Sequence, residues 1–350
     1  MRIKVLSSTQ HDEWLKDNLA SHSRLSPAVV SLLQNVLRER RIDHLSVTSR
    51  IKDYESTLEK INRKNYKDPV NQLTDLTGLR VIVYFDSQVK QCIEVIRSLF
   101  LVDEPNSLDQ ADLLGPDRIG YRSTHFVCSL GAERSRLPEY ESIANLKFEI
   151  QIRTVLQHAW AELAHDRSYK FGPGLPPDIQ RELNLYSGLL EIADRAFDKI
   201  ASGIQNYQEE LGKKTLDQLD QVPINVLSLV QYVAKVAQSF DLKVSNKTEI
   251  KPEVIRELED YGISNIGDLE KLQTEDFRSA YVQAGLRDNF GGFLRSMIMF
   301  EDLKKYFSSD IHWGKVDKGT FNFLKSKYPE DEVRKILSDA DMDLDFEEQT

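Results

Sequence analysis

Cysteine is nearly absent. Cys92 and Cys128 are the only two in 350 residues, and they stand in unlike contexts without the spacing of metal ligands. That excludes a disulfide framework and a cysteine-rich zinc site, and it predicts two small buried hydrophobes. Long apolar runs are also lacking: no stretch approaches the roughly 20 residues that a bilayer crossing needs. The opening MRIKVLSSTQHDEW has no apolar signal core. The expectation is a cytoplasmic protein with no membrane partner. An excess of basic charge is missing too, since the net charge is −10. Residues 1–210 carry 27 Lys/Arg against 30 Asp/Glu, and residues 211–350 carry 19 against 26. Such a balance excludes a grip on nucleic acid along the whole chain. A local one stays open, because nine basic and five acidic residues fall between Arg38 and Lys67.

What is present points to one large domain and a smaller one, with 40% hydrophobic and 29% charged residues. Residues 10–67 read as helical. Pro27 after Ser26 predicts a helix start, and Leu32, Leu33, Val36 and Leu37 give that helix an apolar face. A second helix is expected over Ser49–Lys64, with Ile51, Tyr54, Leu58 and Ile61 as its buried stripe. Three strands follow at LRVIVYF (79–85), STHFVCSL (123–130) and LKFEIQIR (146–153). In the last, Phe148, Ile150 and Ile152 share one face, opposite Glu149, Gln151 and Arg153. A helix over Gln88–Leu101 makes this an α/β or α+β sheet domain, with α+β the class expected for the whole.

Helices are expected from Val155 to Leu211, interrupted by FGPGLPPD (171–178), with a domain boundary in 211–223. The smaller C-terminal domain, 224–340, reads as all-α, with its aromatics as core, and the acidic tail 341–350 as disordered. The full division is a 1–24 segment, a 25–211 domain, the 224–340 domain and the tail.

Several polar residues carry potential chemistry. Lys52 and Ser56 lie four apart beside Arg50, which is either a solvated helix face or an anion clamp. Asp75 heads the first strand, where a turn or cap role is the ordinary one, and Arg80 lies on that strand. Glu149 is harder to dismiss. On a covered sheet face the trio Glu149, Gln151 and Arg153 would need complete pairing, whereas lining a cleft costs less. In IGYRSTH, Tyr121, Ser123 and His125 alternate onto one face; they are either structural or a base-stacking platform with a phosphate contact.

In combination, RIKDYES (50–56), DLTGLRVIVYF (75–85), GYRSTH (120–125), FEIQIRT (148–154) and AWAELAHDRSYKF (159–171) resemble the synthetase domain of the RelA/SpoT family, over about residues 25–210. The resemblance implies a nucleotidyltransferase-like mixed β-sheet flanked by helices. It implies transfer of the β,γ-diphosphate of ATP to the 3′-hydroxyl of GDP or GTP, making (p)ppGpp and releasing AMP. Arg50 and Arg80 would sandwich the adenine, with Lys52 and Ser56 on the phosphates. Asp75 and Glu149 would hold Mg²⁺, Glu149 also being the candidate base. Tyr121 would stack on the acceptor base, and His125, Arg122, Gln151 and Arg153 would complete the nucleotide contacts.

Ile119 stands where the family commonly has Asn, and the preceding DEPNSLDQADLLGPDR is acidic where many relatives place lysines. Two alternatives stay open for that reason. One is a toxic relative that pyrophosphorylates the tRNA 3′ CCA end under control of the C-terminal domain; the other is an inactive nucleotide-binding regulator. The resemblance also leaves a homo-oligomer open. The C-terminal domain is expected to bind a protein partner or act in cis. Within it, LEDYGISNIGDLEKLQTEDF (258–277) is either an ordinary helix turn or a helix–hairpin–helix that docks on nucleic acid or protein.

Overall fold

The computed structural model describes residues 8–109, 123–171, 176–245 and 248–346. They fall into two compact units, Met1–Ala201 and Ser202–Thr350.

The first unit begins with helix α1 (Ser8–Glu39), strand β1 (His44–Ile51), helix α2 (Tyr54–Lys64) and a single turn α3 (Pro69–Gln72). Strand β2 (Thr77–Val83), helix α4 (Asp86–Leu99) and the short strands β3 (Leu101–Val102) and β4 (Leu108–Asp109) follow. Beyond them come β5 (Thr124–Ser129), the turn α5 (Gly131–Arg134), β6 (Phe148–Thr154), α6 (Val155–Phe171) and α7 (Pro177–Lys213). The strands form one mixed sheet in the order β1-β2-β6-β5-β3, with β4 also on β5. Only the β2–β6 pair is parallel.

One face of this sheet is apolar. Val47, Leu79, Val81, Phe126, Ile150 and Ile152 pack with Leu25, Val29, Leu33 and Leu37 of α1 and Val89, Cys92, Val95 and Ile96 of α4. Cys92 and Cys128 are free and buried as expected, and burial pushes both thiols up to about 12. The expected alternation of β6 holds, with Phe148, Ile150 and Ile152 fully buried.

Two expectations near the N-terminus fail. Pro27 lies inside α1 instead of opening it. A proline there removes one backbone donor. The helix runs through it because Leu15 packs with Leu73 and Leu76 before Pro27, while Val29, Leu33 and Leu37 after it join the sheet core. The helix expected from Ser49 starts at Tyr54. Ser49, Arg50 and Ile51 are strand, paired with Leu79, Gly78 and Thr77. The real helix signal is Asp53, whose carboxylate accepts the Ser56 N–H at 2.8 Å as an N-cap.

His22 of α1 is buried, with Nδ1 2.8 Å from the Thr77 hydroxyl at the head of β2. Burial lowers its pKa from 6.5 to about 4. Unfolded His22 binds a proton near pH 6.5 and the folded form only near 4. Stability is therefore fully present above 6.5 and falls as pH drops towards 4. His22→Gln is expected to remove on the order of 3 kcal/mol of that fall. Urea midpoints at pH 7.5 and 4.5 measure it, and an equal pH dependence in the variant would contradict it.

In the second unit, helices α8 (Val226–Ser239), α9 (Pro252–Tyr261), α10 (Ile266–Leu272), α11 (Glu275–Gln283) and α12 (Phe290–Glu301) surround a continuous core. Leu303–Phe307, Lys318–Lys325 and Glu330–Asp339 complete the helices among the described residues. Phe290, Phe293, Phe300, Tyr306, Phe321 and Phe323 are buried, as the sequence suggested. Glu257, 1% exposed, is matched inside this core by both Arg295 hydrogen bonds, at 2.7 and 2.6 Å, and by the Tyr306 hydroxyl at 2.8 Å.

The tail expected to be disordered from 341 is ordered to Phe346. Asp343–Leu344 pairs with Lys315–Val316, and Phe346 packs 5.2 Å from Phe321. Met342, Leu344 and Phe346 alternate among the acids and supply the apolar side that holds it.

Candidate functional site

The polar face of the sheet is built by register. Arg50, Gly78 and Glu149 stand side by side across β1, β2 and β6, and Thr48, Arg80 and Gln151 form the next row. His125 of β5 lies opposite Gln151 and so extends that row. Residues directly opposite point to one side, so three strands deliver charged groups onto a single surface. Gly78 keeps its floor low, because a Cβ there would meet only the Arg50 carbonyl, at 3.9 Å.

Helix α2 and the turn before it form the wall. The result is a cleft of about 1000 Å³ whose lining includes Arg50, Lys52, Ser56, Asp75, Arg80, Glu149 and Gln151. Lys60, Arg63, Glu59 and Asn62 of α2 and Glu162 of α6 line it as well. Spacing could have revealed Lys60, since it follows Ser56 by one helical turn. Glu162 sat within a block of resemblance but without an assigned role.

Lys52 extends the ladder, its N–H donating to the Leu76 carbonyl at 2.9 Å. Its Nζ and that of Lys60 both reach Asp75 Oδ2, at 2.8 and 2.7 Å. Burial raises the Asp75 pKa, but the two lysine hydrogen bonds outweigh it and hold the carboxyl below its ordinary value. Asp75 Oδ1 is buried and has no hydrogen-bond partner. Arg80 Nη1 meets Glu162 Oε1 at 2.8 Å. His158, one turn before Glu162, has a lowered pKa, first through burial and then through the Arg80 charge.

Ser56 donates its hydroxyl to Asp53 at 2.7 Å, within the helix cap. His125 bridges Glu149 and Ser123. Arg153 is 8% exposed and donates to the Ser123 hydroxyl at 3.4 Å; it is not among the cleft's lining residues. Tyr121 and Arg122 lie outside the described residues.

The divalent cation expected at Asp75 and Glu149 is compatible with this donor set. Mg²⁺ takes one or two carboxylates and completes its shell with substrate oxygens and water. Of the four carboxylates that line the cleft, Asp75 and Glu149 are the two expected to take the cation, and Asp75 Oδ1 is a buried oxygen lacking a donor. Among the described residues no cluster of three or more His, Cys, Asp or Glu could hold a metal by itself, so a cation here would depend on substrate oxygens.

The turn between α9 and α10 is tied by hydrogen bonds from its own amides. Gly262 and Ile263 donate to Glu259 and Leu258, Ser264 and Asn265 to Asp268, and Ile266 and Gly267 to Val222 and Asp220. Every amide that could face an anion is spent within the chain. The segment forms two helices, α9 and α10, joined by a turn that satisfies its own amides.

Residues 49–173 match the family model described as "Region found in RelA / SpoT proteins". The chain is similar to GTP pyrophosphokinase YjbM of Bacillus subtilis, with 28% identity over 170 residues, 48% of this chain and 77% of that protein. It is similar to GTP pyrophosphokinase YwaC of the same organism at 30% over 142 residues, covering 39% of this chain and 63% of the relative. Among solved structures, small alarmone synthetase 1 from Bacillus subtilis aligns with 56% of this chain and 99% of its own, at 23% identity and a TM-score of 0.46. Among the described residues no helix is long and apolar enough to cross a membrane. Residues 49–173, which supply every lining residue of the cleft but Thr48, form a RelA/SpoT domain.

Proposed function

We propose that this chain is an ATP-dependent pyrophosphotransferase that moves the β,γ-diphosphate of Mg-ATP to the 3′-hydroxyl of GDP or GTP. One observation carries the reading: the cleft sets five cations, Arg50, Lys52, Lys60, Arg63 and Arg80, beside the carboxylates Asp75 and Glu149. Diphosphate transfer needs dense positive charge for the polyphosphate and an acidic group for the attacking hydroxyl. The names of the two relatives, both GTP pyrophosphokinases, support the same chemistry.

Arg50 and Arg80 are diagonal neighbours on adjacent strands. Such positions lie about 7–8 Å apart, a gap that suits a flat adenine between two planar guanidinium groups. Lys52, Lys60 and Ser56 then face the phosphates, and Asp75 and Glu149 would hold the Mg²⁺. A cation held there would supply neutralising charge to the diphosphate. Glu149 takes the proton of the 3′-hydroxyl, whose oxygen bonds to the β-phosphorus. The bridge from the α- to the β-phosphate breaks, and AMP leaves with the electron pair. Gln151 is assigned to the acceptor side, with Tyr121 and Arg122, while buried Arg153 stands behind Ser123.

ATP labelled on the γ-phosphate, offered with GDP, GTP or bulk tRNA, tests this directly. Label is expected in the guanosine nucleotides. Label in tRNA alone would move the acceptor to RNA, and intact ATP with every acceptor would overturn the enzyme reading.

A further inference from the structure

We infer that His125 is a positioning residue for Glu149, locked by Ser123 and Arg153, and is not a contact to the acceptor nucleotide. The inference rests on Glu149 taking the hydroxyl proton. His125 Nδ1 lies 2.6 Å from Glu149 Oε1, and His125 Nε2 lies 2.5 Å from the Ser123 hydroxyl. Arg153 Nε donates to that same hydroxyl, at 3.4 Å.

With the His125 ring neutral, these contacts have one consistent direction. A carboxylate only accepts, so the proton between His125 and Glu149 sits on Nδ1. In the neutral ring Nε2 then has only a lone pair, and Ser123 must donate to it. With its proton committed, the Ser123 oxygen accepts from Arg153, which has donors only. Each group orients the next: Arg153 fixes Ser123, Ser123 fixes the tautomer of His125, and His125 fixes Glu149.

Both nitrogens of the His125 ring are thus engaged before any nucleotide arrives. The supports are also the least exposed members of the group. Ser123 is 2% exposed and Arg153 8% exposed, while Glu149 faces the cleft. With Oε1 held, Oε2 is the oxygen left for the cation and the reacting hydroxyl, and its direction is set by a ring anchored on the neighbouring strand. A carboxylate free to rotate would meet that hydroxyl in only part of its orientations.

The test separates positioning from nucleotide contact. His125→Ala is expected to lower kcat about 10–100-fold, the usual range for removing a group that orients a functional ligand. KM for ATP and for the acceptor should stay within about twofold of wild type. His125→Asn, whose amide can reoccupy the Nδ1 position, should recover at least about tenfold of the loss. A rise of about tenfold or more in acceptor KM at unchanged kcat would overturn the inference, because His125 would then touch the acceptor.

A second readout needs no turnover. The ¹⁵N spectrum of the wild-type imidazole at pH 8 is expected to show Nδ1 protonated and Nε2 bare. A ring protonated on Nε2 would refute the inference even if the variant is slow. Absence of transfer by the wild-type protein would instead remove the proposed function, and the spectrum would still report the tautomer.

Discussion

Glu149→Gln is expected to reduce diphosphate transfer by about 10²–10⁴-fold, the range for loss of a general base, while ATP binding stays within about threefold. The substitution is informative because so little else changes. The amide keeps an oxygen that can accept the His125 Nδ1–H now 2.6 Å from Glu149 Oε1. It has nearly the same volume, and the neighbouring main chain is pinned by β2 on one side and β5 on the other. What disappears is the capacity to take a proton and one negative charge beside the phosphates. Single-turnover transfer with saturating ATP and acceptor measures it, with ATP affinity read by calorimetry. Transfer within fivefold of wild type would remove Glu149 from the chemistry. A collapse of ATP affinity alongside would show that its charge serves cation binding more than proton transfer.

Much of the first unit was legible because it follows period two. Phe148, Ile150 and Ile152 against Glu149, Gln151 and Arg153 is a pattern that a strand alone explains, and each apolar member of it is fully buried. Strand β1 was not legible. HLSVTSRI has a single fully inward hydrophobe, Val47, and its outer face carries Thr48 and Arg50, which belong to the cleft. A strand whose polar side is functional loses the alternation that would announce it. Read with the helix behind it, the segment passes for an extension of that helix.

The site shows the same limit. Arg50, Lys52, Asp75, Arg80, Glu149 and Gln151 were singled out from three separate segments, and one cleft receives them all. No single segment gives that convergence, which comes from the parallel pairing of β2 with β6 across some 70 residues of chain. The pairing sets Gly78 opposite Glu149 and so leaves an open floor between Arg50 and the acid. Lys60 escaped notice for a different reason. In EKINRKNYK it is one of four closely spaced cations; its spacing from Ser56 is the one signal in the sequence, and the shared Asp75 partner is what marks it out in the structure.

That shared partner makes Asp75→Asn the most revealing change on the binding side. Two ammonium groups meet at one oxygen: Lys52 and Lys60 both donate to Asp75 Oδ2, while Oδ1 stays buried without a donor. An ionised Asp75 screens the two ammonium groups from an incoming polyphosphate and offers its other oxygen to a cation. Asparagine keeps the shape but removes the charge, leaving both lysines free to turn to phosphate. Metal-free ATP should therefore bind severalfold more tightly to the variant than to wild type. Added Mg²⁺ should strengthen binding less than in wild type, because one of the two carboxylates that would hold it is gone. Transfer should nevertheless fall by about 10²–10³-fold, as expected when a preorganised electrostatic contact to the transition state is lost. Calorimetric titrations of ATP with and without a chelator separate these effects. An affinity that still rises with Mg²⁺ as in wild type would mean that Asp75 only restrains the lysines, and that the cation is held elsewhere in the cleft.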